Sequence, residues 1–433
     1  MIRKIHGWGG CPSIHAEIIS CTSRQKTASS IHGKSEIIAR GNGRSYGDAS
    51  ISRSVFSTLS LSNVIEFDPA RGVLEAEAGI LLKNILELII PFGYFLPVTP
   101  GTQLITLGGA IAADVHGKNH LTAGSFSNHL LSFQILDHSK KIVTCSRSEN
   151  SNLFWETCGG MGLTGIIITA LIKLKPIEST YLRSNIQKVT GINSLLTKFK
   201  NQQGEYSVAW LDSFQKVDSI PAVFTTADHI PFFDLPKNLQ KKPLTFKSKQ
   251  QITIPFHAPS FALNYKIGRL FNTFYLKRKI EADRLQTAKL ASFFFPLDTI
   301  KNWPLLYGKK GLLQYQFVIP FSGAEECITE VLKRIHQAAI YPFLSVIKMF
   351  GEVDDRSVMS FPMPGFTLAM DFKWSPDVLN IFNDLDQIVL EYGGKIYLAK
   401  DARMNANTFK RMYKRWVTHH DYYKSLLSYR LEI

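Results

Sequence analysis

Between Pro97 and Phe126 the chain reads PVTPGTQLITLGGAIAADVHGKNHLTAGSF, with Gly101, Gly108, Gly109, Gly117 and Gly124 set among small residues. One polar cluster lies within it, His116-Gly117-Lys118-Asn119-His120. Glycine lets the main chain turn with positive φ and lets a flat or phosphorylated ligand approach the backbone closely, which a Cβ prevents. Imidazole and ammonium groups in such a place supply hydrogen bonds and charge. The stretch reads as a cofactor cradle. Taken alone, a glycine-rich turn between core strands beside a satisfied histidine accounts for it equally well.

Two further stretches shift that balance. Arg40-Gly41-Asn42-Gly43-Arg44-Ser45-Tyr46-Gly47-Asp48 follows the apolar run Ile37-Ile38-Ala39, so a short strand feeds a glycine-rich loop. Successive N–H groups in such a loop form an anion-binding nest, suited to a pyrophosphate. Gly159-Gly160-Met161-Gly162-Leu163-Thr164-Gly165-Ile166 repeats the design. Three such loops within the first 170 residues point to an extended dinucleotide. The Rossmann fingerprint does not fit, because Gly41, Gly43 and Gly47 lack the G-x-G-x-x-G spacing and strand-like alternation follows Asp48 where a helix should open. NAD is therefore disfavoured.

Four motifs carry a resemblance: R-G-N-G-R-S-Y-G-D from Arg40, G-T-x-x-x-T-x-G-G-A-I-A-x-D-x-H-G-K-N-H from Gly101, L-Q-Y-Q-F-V-I-P from Leu313, and Y-L-A-K-D-A-R from Tyr397. In this order they resemble the decaprenylphosphoryl-ribose oxidase family, the flavoprotein halves of two-protein epimerases. The resemblance runs from about Gly7 to the C-terminus. It implies an α+β, two-domain fold of the PCMH/VAO (vanillyl-alcohol-oxidase) type, with an antiparallel-sheet cap over the substrate.

The resemblance also implies bound FAD. Gly41, Asn42, Gly43, Arg44, Ser45 and Tyr46 would form the first wall of its site. Gly101, Thr102, Gly108, Gly109, Ala112, His116 and Gly117 would form the second. Gly160, Gly165 and Ile166 would close it, with Tyr397 near the flavin. Many relatives in the wider group have a histidine at the position of Arg44 that the flavin 8α-methyl alkylates. A guanidinium cannot react so, and non-covalent FAD is expected.

A flavin oxidising a secondary alcohol needs a group to take the hydroxyl proton as the hydride leaves, and gains from positive charge where reduction puts negative charge. Lys400 is the candidate for the substrate hydroxyl, since a lysine acts as a base when burial or a nearby cation lowers its pKa. His116 and Lys118 are candidate cationic or hydrogen-bonding partners. Gln314 and Gln316 are two apart and share one face of a strand; with Lys348 and Tyr46 they are candidate substrate ligands. Phe294 stands where relatives commonly have a tyrosine bordering the substrate, and Ala369 where mycobacterial members have a cysteine.

The activity so implied is FAD-dependent oxidation of the 2′-hydroxyl of a polyprenyl-phosphoryl-β-D-ribose to a ketone. A short-chain NAD(P)H-dependent reductase would complete epimerisation as the partner. An alditol or aldonolactone oxidase using O₂ is the enzymatic alternative. A basic adaptor that merely retains the fold is the non-enzymatic one, and no nucleic-acid motif supports it.

Composition sets the frame. The 433 residues are 45% hydrophobic and 12% aromatic, a globular composition with room for two or three domains. The start lacks an apolar h-region, and no run reaches about 18 uninterrupted apolar residues, so a cytoplasmic, non-spanning protein is expected. Cys11, Cys21, Cys145, Cys158 and Cys327 are odd in number and form no C-x-x-C pair, which argues against a disulfide framework or a zinc site; no metal is expected. They read as small buried hydrophobes.

The net charge of +15 favours anionic partners. Eleven Lys/Arg and two acids fall between Lys237 and Arg284, interleaved with Phe, Tyr and Leu. That segment reads either as a solvated surface or as a peripheral contact with the membrane carrying a lipid-linked substrate.

Patterning places short strands at Glu36–Arg40, Val64–Phe67, Gly72–Glu77, Leu131–Asp137, Lys141–Thr144 and Ile166–Lys175, with helices at Leu81–Ile90 and Asn152–Cys158. Strands at Tyr206–Trp210, Gly311–Pro320 and Gly365–Phe372 and helices at Glu325–Ala338 and Pro376–Glu391 suit a sheet covered on one face. The expected division is 1–179 for the FAD-binding domain, 180–395 for the cap, and 396–433 for a return to the first domain.

Overall fold

The computed structural model describes residues 1–246, 252–259, 264–280, 285–354, 356–416 and 422–433. Its first part is built on two sheets. Ile2–His6 (β1), Ser13–Ile19 (β2), Ile37–Arg40 (β3) and Ser54–Ser57 (β4) are ordered β1-β2-β4-β3, with β4 parallel to both β2 and β3. Val64–Asp68 (β5), Val73–Glu77 (β6), Leu130–Leu136 (β7), Ile142–Ser146 (β8) and Ile166–Lys173 (β9) form an antiparallel sheet in the order β5-β6-β9-β7-β8.

Helix α1 (Leu82–Ile89) buries Leu82, Ile85, Leu86 and Ile89, the spacing of one helical face. Helix α2 (Leu107–Ala112) opens on Thr106, whose side chain accepts from the Gly109 N–H at 3.2 Å. Helix α3 (Ser151–Thr157) precedes the third glycine loop.

The second part is one eight-stranded sheet. It comprises Tyr181–Thr190 (β10), Tyr206–Leu211 (β11), Pro221–His229 (β12), Leu285–Lys289 (β13), Leu312–Ile319 (β14), Leu344–Phe350 (β15), Gly365–Lys373 (β16) and Lys395–Ile396 (β17). The order is β13-β10-β12-β11-β15-β16-β14-β17. Three helices cover one face: α4 (Ile192–Lys200), α6 (Ala324–Gln337) and α7 (Pro376–Glu391), each burying an apolar stripe. Ser375 caps α7 by accepting from the Val378 N–H at 3.2 Å, with Pro376 at the first helical position. Helix α5 (Tyr265–Ile280) packs beside β10 and β12 instead, its buried Asn272 amide donating to Asp212 at 2.8 Å.

The opposite face of this sheet meets the glycine loops. Register fixes what that face presents. Gln314 pairs with Asp371 and Gln316 with Ala369 across β14 and β16, while Val346 pairs with Ala369 and Lys348 with Thr367 across β15 and β16. Side chains two apart share a face, so Gln314, Gln316, Leu344, Val346, Lys348, Thr367, Ala369 and Asp371 lie on one side of three adjacent strands.

After β17 the chain returns to the first part through α8 (Ala406–Met412) and α9 (Leu426–Leu431). Tyr423 bridges Ile37 at the edge of the first sheet, and its hydroxyl donates to the Leu136 carbonyl at 2.8 Å. Four cysteines are buried and Cys11 is half-buried, its thiol pushed up by burial. No helix among the described residues is long and apolar enough to cross a membrane.

Candidate active site

A cavity of about 1100 Å³ lies between the glycine loops and the open face of the cap sheet. Arg40 to Tyr46 line one end, Gly101, Thr102, Leu104, Thr106, Gly108, Gly109 and Ala112 the floor, and Met161, Gly162, Gly165 and Ile167 the back. In the first loop Gly43 has φ 61°, a left-handed conformation that favours glycine. Among the described residues the main-chain N–H groups of Gly41, Asn42, Gly43, Arg44 and Ser45 donate to no other group of the chain. A row of N–H groups left open beside a cavity calls for an external acceptor. The Arg44 Nε is likewise buried without a partner among the described residues. These features fit the phosphates of a dinucleotide, and the glycine-lined floor fits its flat ring.

Lys400 arrives from the far end of the chain. Tyr397 N–H donates to the Gln316 carbonyl at 2.9 Å, joining the return to β14, and Lys400 N–H donates back to the Tyr397 carbonyl at 2.9 Å, forming a tight turn. Tyr46 N–H reaches the Ala399 carbonyl at 3.0 Å. Beside it, a Cβ on Gly47 would stand 1.9 Å from the Asp401 carbonyl oxygen, so that close approach requires glycine. The Lys400 ammonium then lies 3.7 Å from the centroid of the Tyr46 ring. Burial, with Lys348 adding to it and Asp371 opposing it, brings Lys400 down to about 7.

An ion chain clamps this turn. The Asp401 carboxylate accepts from the Met404 N–H at 3.1 Å and from Arg430 at 2.8 Å. Arg430 also grips Asp48, at 2.8 and 2.9 Å. Arg403 holds Asp386 of α7, which takes the Tyr315 hydroxyl at 3.0 Å.

His116 is 5% exposed, and its Nε2 lies 3.1 Å from the Gln316 amide nitrogen. The amide can only donate, so Nε2 accepts and the ring proton belongs on Nδ1, which has no partner among the described residues. Burial pushes His116 well below its usual value, and Lys348, His120 and Lys400 push the same way. Burial and the neighbouring cations disfavour the charged imidazole, and its Nδ1 is left open to hydrogen-bond. Gln316 also donates to Thr367 at 3.2 Å. The Lys348 ammonium lines the cavity, lowered to about 8 by burial. Tyr397 lines it too, donating to the Ala113 carbonyl at 2.9 Å and stacking on Phe361.

Several expected residues stand elsewhere. Lys118 does not line the cavity; its ammonium donates to the Phe293 carbonyl and lies 4.3 Å from the Phe293 ring centroid, tying the cradle to the cap. Phe294 is 2% exposed and packs against Phe95 and Tyr206 in the core. With no hydroxyl to satisfy, it has no reason to face the cavity. Gly117, Gly160 and Ile166 lie just off the lining, and their neighbours His116, Met161 and Ile167 are on it. Ala369 lines the cavity.

Three contributors went unread in the sequence. The run Gly7-Trp8-Gly9-Gly10 lines the cavity, with Trp8 donating to the Ser45 carbonyl at 2.7 Å and its ring 4.8 Å from Tyr46. Its glycine spacing was a signal. Asp298 accepts from Thr102 at 2.6 Å and from the Gln103 N–H at 2.9 Å, latching cap to cradle. Asp371 lies buried under Gln314.

A family model described as an FAD binding domain matches residues 27–146. Decaprenylphosphoryl-beta-D-ribose oxidase of Mycolicibacterium smegmatis is 35% identical over 430 residues, covering 95% of this chain and 92% of that protein. The chain belongs to the decaprenylphosphoryl-β-D-ribose oxidase family. The matched FAD-binding region includes the first two glycine loops, and the cofactor is FAD. An uncharacterised Streptomyces coelicolor protein, encoded in the mprA 5′ region, is 28% identical over 77% of this chain and 92% of its own length. Human delta(24)-sterol reductase is 24% identical over 33% of this chain and 28% of its own, a likeness confined to one part.

The basic segment from Lys237 to Arg284 lies partly outside the described residues, Lys247, Lys249 and Arg284 among them. In its described part, α5 turns Leu270, Phe271 and Phe274 outward, at 61–73% exposure.

Proposed function

We propose that this chain oxidises the 2′-hydroxyl of a polyprenyl-phosphoryl-β-D-ribose to the ketone; the Mycolicibacterium relative is named as an oxidase of decaprenylphosphoryl-β-D-ribose. The observation that carries the reading is the convergence of Lys400, Gln314, Gln316, Lys348 and His116 on the same cavity that the FAD-binding loops line.

Bound FAD supplies the hydride acceptor. Gly41 to Ser45 would hold its phosphates through their N–H groups, and the Arg44 guanidinium adds charge there. The open His116 Nδ1–H would be available as a neutral hydrogen-bond donor to the ring system, polarising it without adding a charge. Gln314 and Gln316 orient the sugar hydroxyls, and Lys348 attracts the anionic phosphodiester. Lys400, neutral in a large fraction of molecules near pH 7, takes the 2′-hydroxyl proton on Nζ. Tyr46 seats that nitrogen, and Ala369 leaves room beside it.

The ketone would be reduced on the other face by a short-chain NAD(P)H-dependent partner, giving the arabinose epimer. The outward apolar row of α5, set among basic residues, supports peripheral contact with the membrane bearing the substrate.

Anaerobic stopped-flow reduction tests the reading. A polyprenyl-phosphoryl ribose should bleach the flavin; bleaching by free alditols or aldonolactones alone would replace this substrate with theirs. Sedimentation with anionic vesicles, reversed by salt, tests the membrane contact.

A further inference from the structure

Hydride and proton transfer leave one cavity-lining segment without a role: Gly7-Trp8-Gly9-Gly10, where a single large side chain stands among residues that have none. The run threads a slot between the first glycine loop and cap strand β14. Trp8 N–H donates to the Ser45 carbonyl at 2.7 Å, Gly9 N–H donates to the Tyr46 carbonyl at 3.1 Å, and the Gly9 carbonyl accepts from the Leu312 N–H at 2.8 Å. A Cβ on Gly7 would stand 2.2 Å from the Gly47 carbonyl oxygen, and one on Gly9 would stand 2.5 Å from the Leu312 carbonyl oxygen. The slot therefore admits only glycine on either side of the indole.

The main chain of Tyr46 is bonded on both sides. Its carbonyl takes the Gly9 N–H, and its own N–H reaches the Ala399 carbonyl at 3.0 Å, so segments 8–9, 45–46 and 399–400, distant in the chain, lie side by side. The side chains repeat that order. The Trp8 ring centroid lies 4.8 Å from that of Tyr46 at an interplanar angle of 59°, and the Lys400 ammonium lies 3.7 Å from the same Tyr46 centroid. Tyr46 also shares an apolar cluster with Tyr307 and Leu312, against which the half-buried Trp8 packs. A cation seated on an aromatic face is only as well placed as the ring beneath it.

We propose that Trp8 is a positioning residue for Lys400: it pins the Tyr46 ring on which the ammonium sits, and so holds Nζ in place for the substrate hydroxyl. This rests on the reading that Lys400 takes the substrate proton. Trp8 neither gives nor takes that proton. Its indole acts through the Tyr46 ring alone.

The first test needs no substrate. In FAD-loaded protein carrying ¹³Cε-labelled lysine, the Lys400 Hε resonance, assigned by its loss in Lys400→Met, should lie upfield of those of exposed lysines because it sits over an aromatic face. Trp8→Ala should move it back toward them, and Trp8→Phe should leave it near its wild-type place. An unmoved resonance in a folded, FAD-binding Trp8→Ala overturns the proposal.

The second test is a double-mutant cycle on the limiting rate of anaerobic flavin reduction. Trp8→Ala should lower that rate about threefold to tenfold, the usual worth of an aromatic pair, with the half-saturating substrate concentration little changed. In a Tyr46→Ala background the same substitution should cost almost nothing more. Losses that multiply overturn the proposal, because Trp8 would then act independently of the Tyr46 ring. Should Trp8→Ala fail to retain FAD, Trp8→Leu takes its place in both tests and is read in the same way. The resonance is recorded without substrate, so its result is separate from whether Lys400 acts in turnover, which Lys400→Ala reports.

Discussion

The Lys400 ammonium rests 3.7 Å from the centre of the Tyr46 ring, so a residue near the end of the chain is seated by one from its first glycine loop. A cation over an aromatic face gains about 0.5–2 kcal/mol, more when desolvated. Tyr46→Ala should therefore slow flavin reduction roughly tenfold or more, while Tyr46→Phe, which keeps the ring face, should retain most of the rate. Equal losses in both would show that the hydroxyl, and not the face, matters.

Lys400→Ala should cut the rate of anaerobic flavin reduction by about 10²–10⁴-fold, the usual contribution of a proton-transfer group, while the bound flavin spectrum persists. Near-normal reduction removes Lys400 from the mechanism.

The pH dependence has a defined sign. Lys400 accepts a proton only when neutral, and its pKa is lowered to about 7, so the neutral fraction grows as pH rises through that value. Flavin reduction at saturating substrate should climb between about pH 6 and about pH 8 and then level off. A rate that falls over this interval would mean that the ammonium is the working form.

The first glycine loop carries Arg44, whose guanidinium is not a group that the flavin methyl alkylates, so the FAD should be held without a covalent bond there. Precipitation with trichloroacetic acid should leave the yellow colour in the supernatant. Colour retained in the pellet would contradict non-covalent binding.

Asp401 is 3% exposed and pairs with Arg430 while lying beside Arg403. Asp401→Ala strands buried positive charge and should cost about 3–5 kcal/mol of stability, read as a lower denaturation midpoint and as weakened FAD retention, because Gly47 and Tyr46 lean on the same turn. An unchanged midpoint would show that Asp48 and Asp386 suffice.

Much of this protein is written locally. The glycine loops were legible because close approach of a ligand to the main chain excludes side chains, whatever the rest of the fold does. Helices such as Pro376–Glu391 were legible because burying one face imposes a 3.6-residue spacing on apolar side chains. The strand Tyr181–Thr190 carried its signal too, in the alternate burial of Leu182, Ser184 and Ile186, but polar residues on both faces masked it. The pairing of Gln314 with Gln316 on one face followed from the two-residue repeat alone.

What the chain order could not show was which side chains meet across long separations. Lys118 and His116 are two residues apart in a single cluster, yet one clamps Phe293 and the other faces the cavity, because only the docking of the cap decides which has a neighbour to bind. Phe294 has the composition of either a pocket wall or a core residue, and packing against Phe95 and Tyr206 selects the core. Asp371 has no local signature: it is one acid in a strand, and only strand register sets it against Gln314, whose amide it accepts from. Residue type and spacing determined the cofactor cradle and the periodic elements; burial and long-range charge, which exist only after folding, decided which groups hold protons.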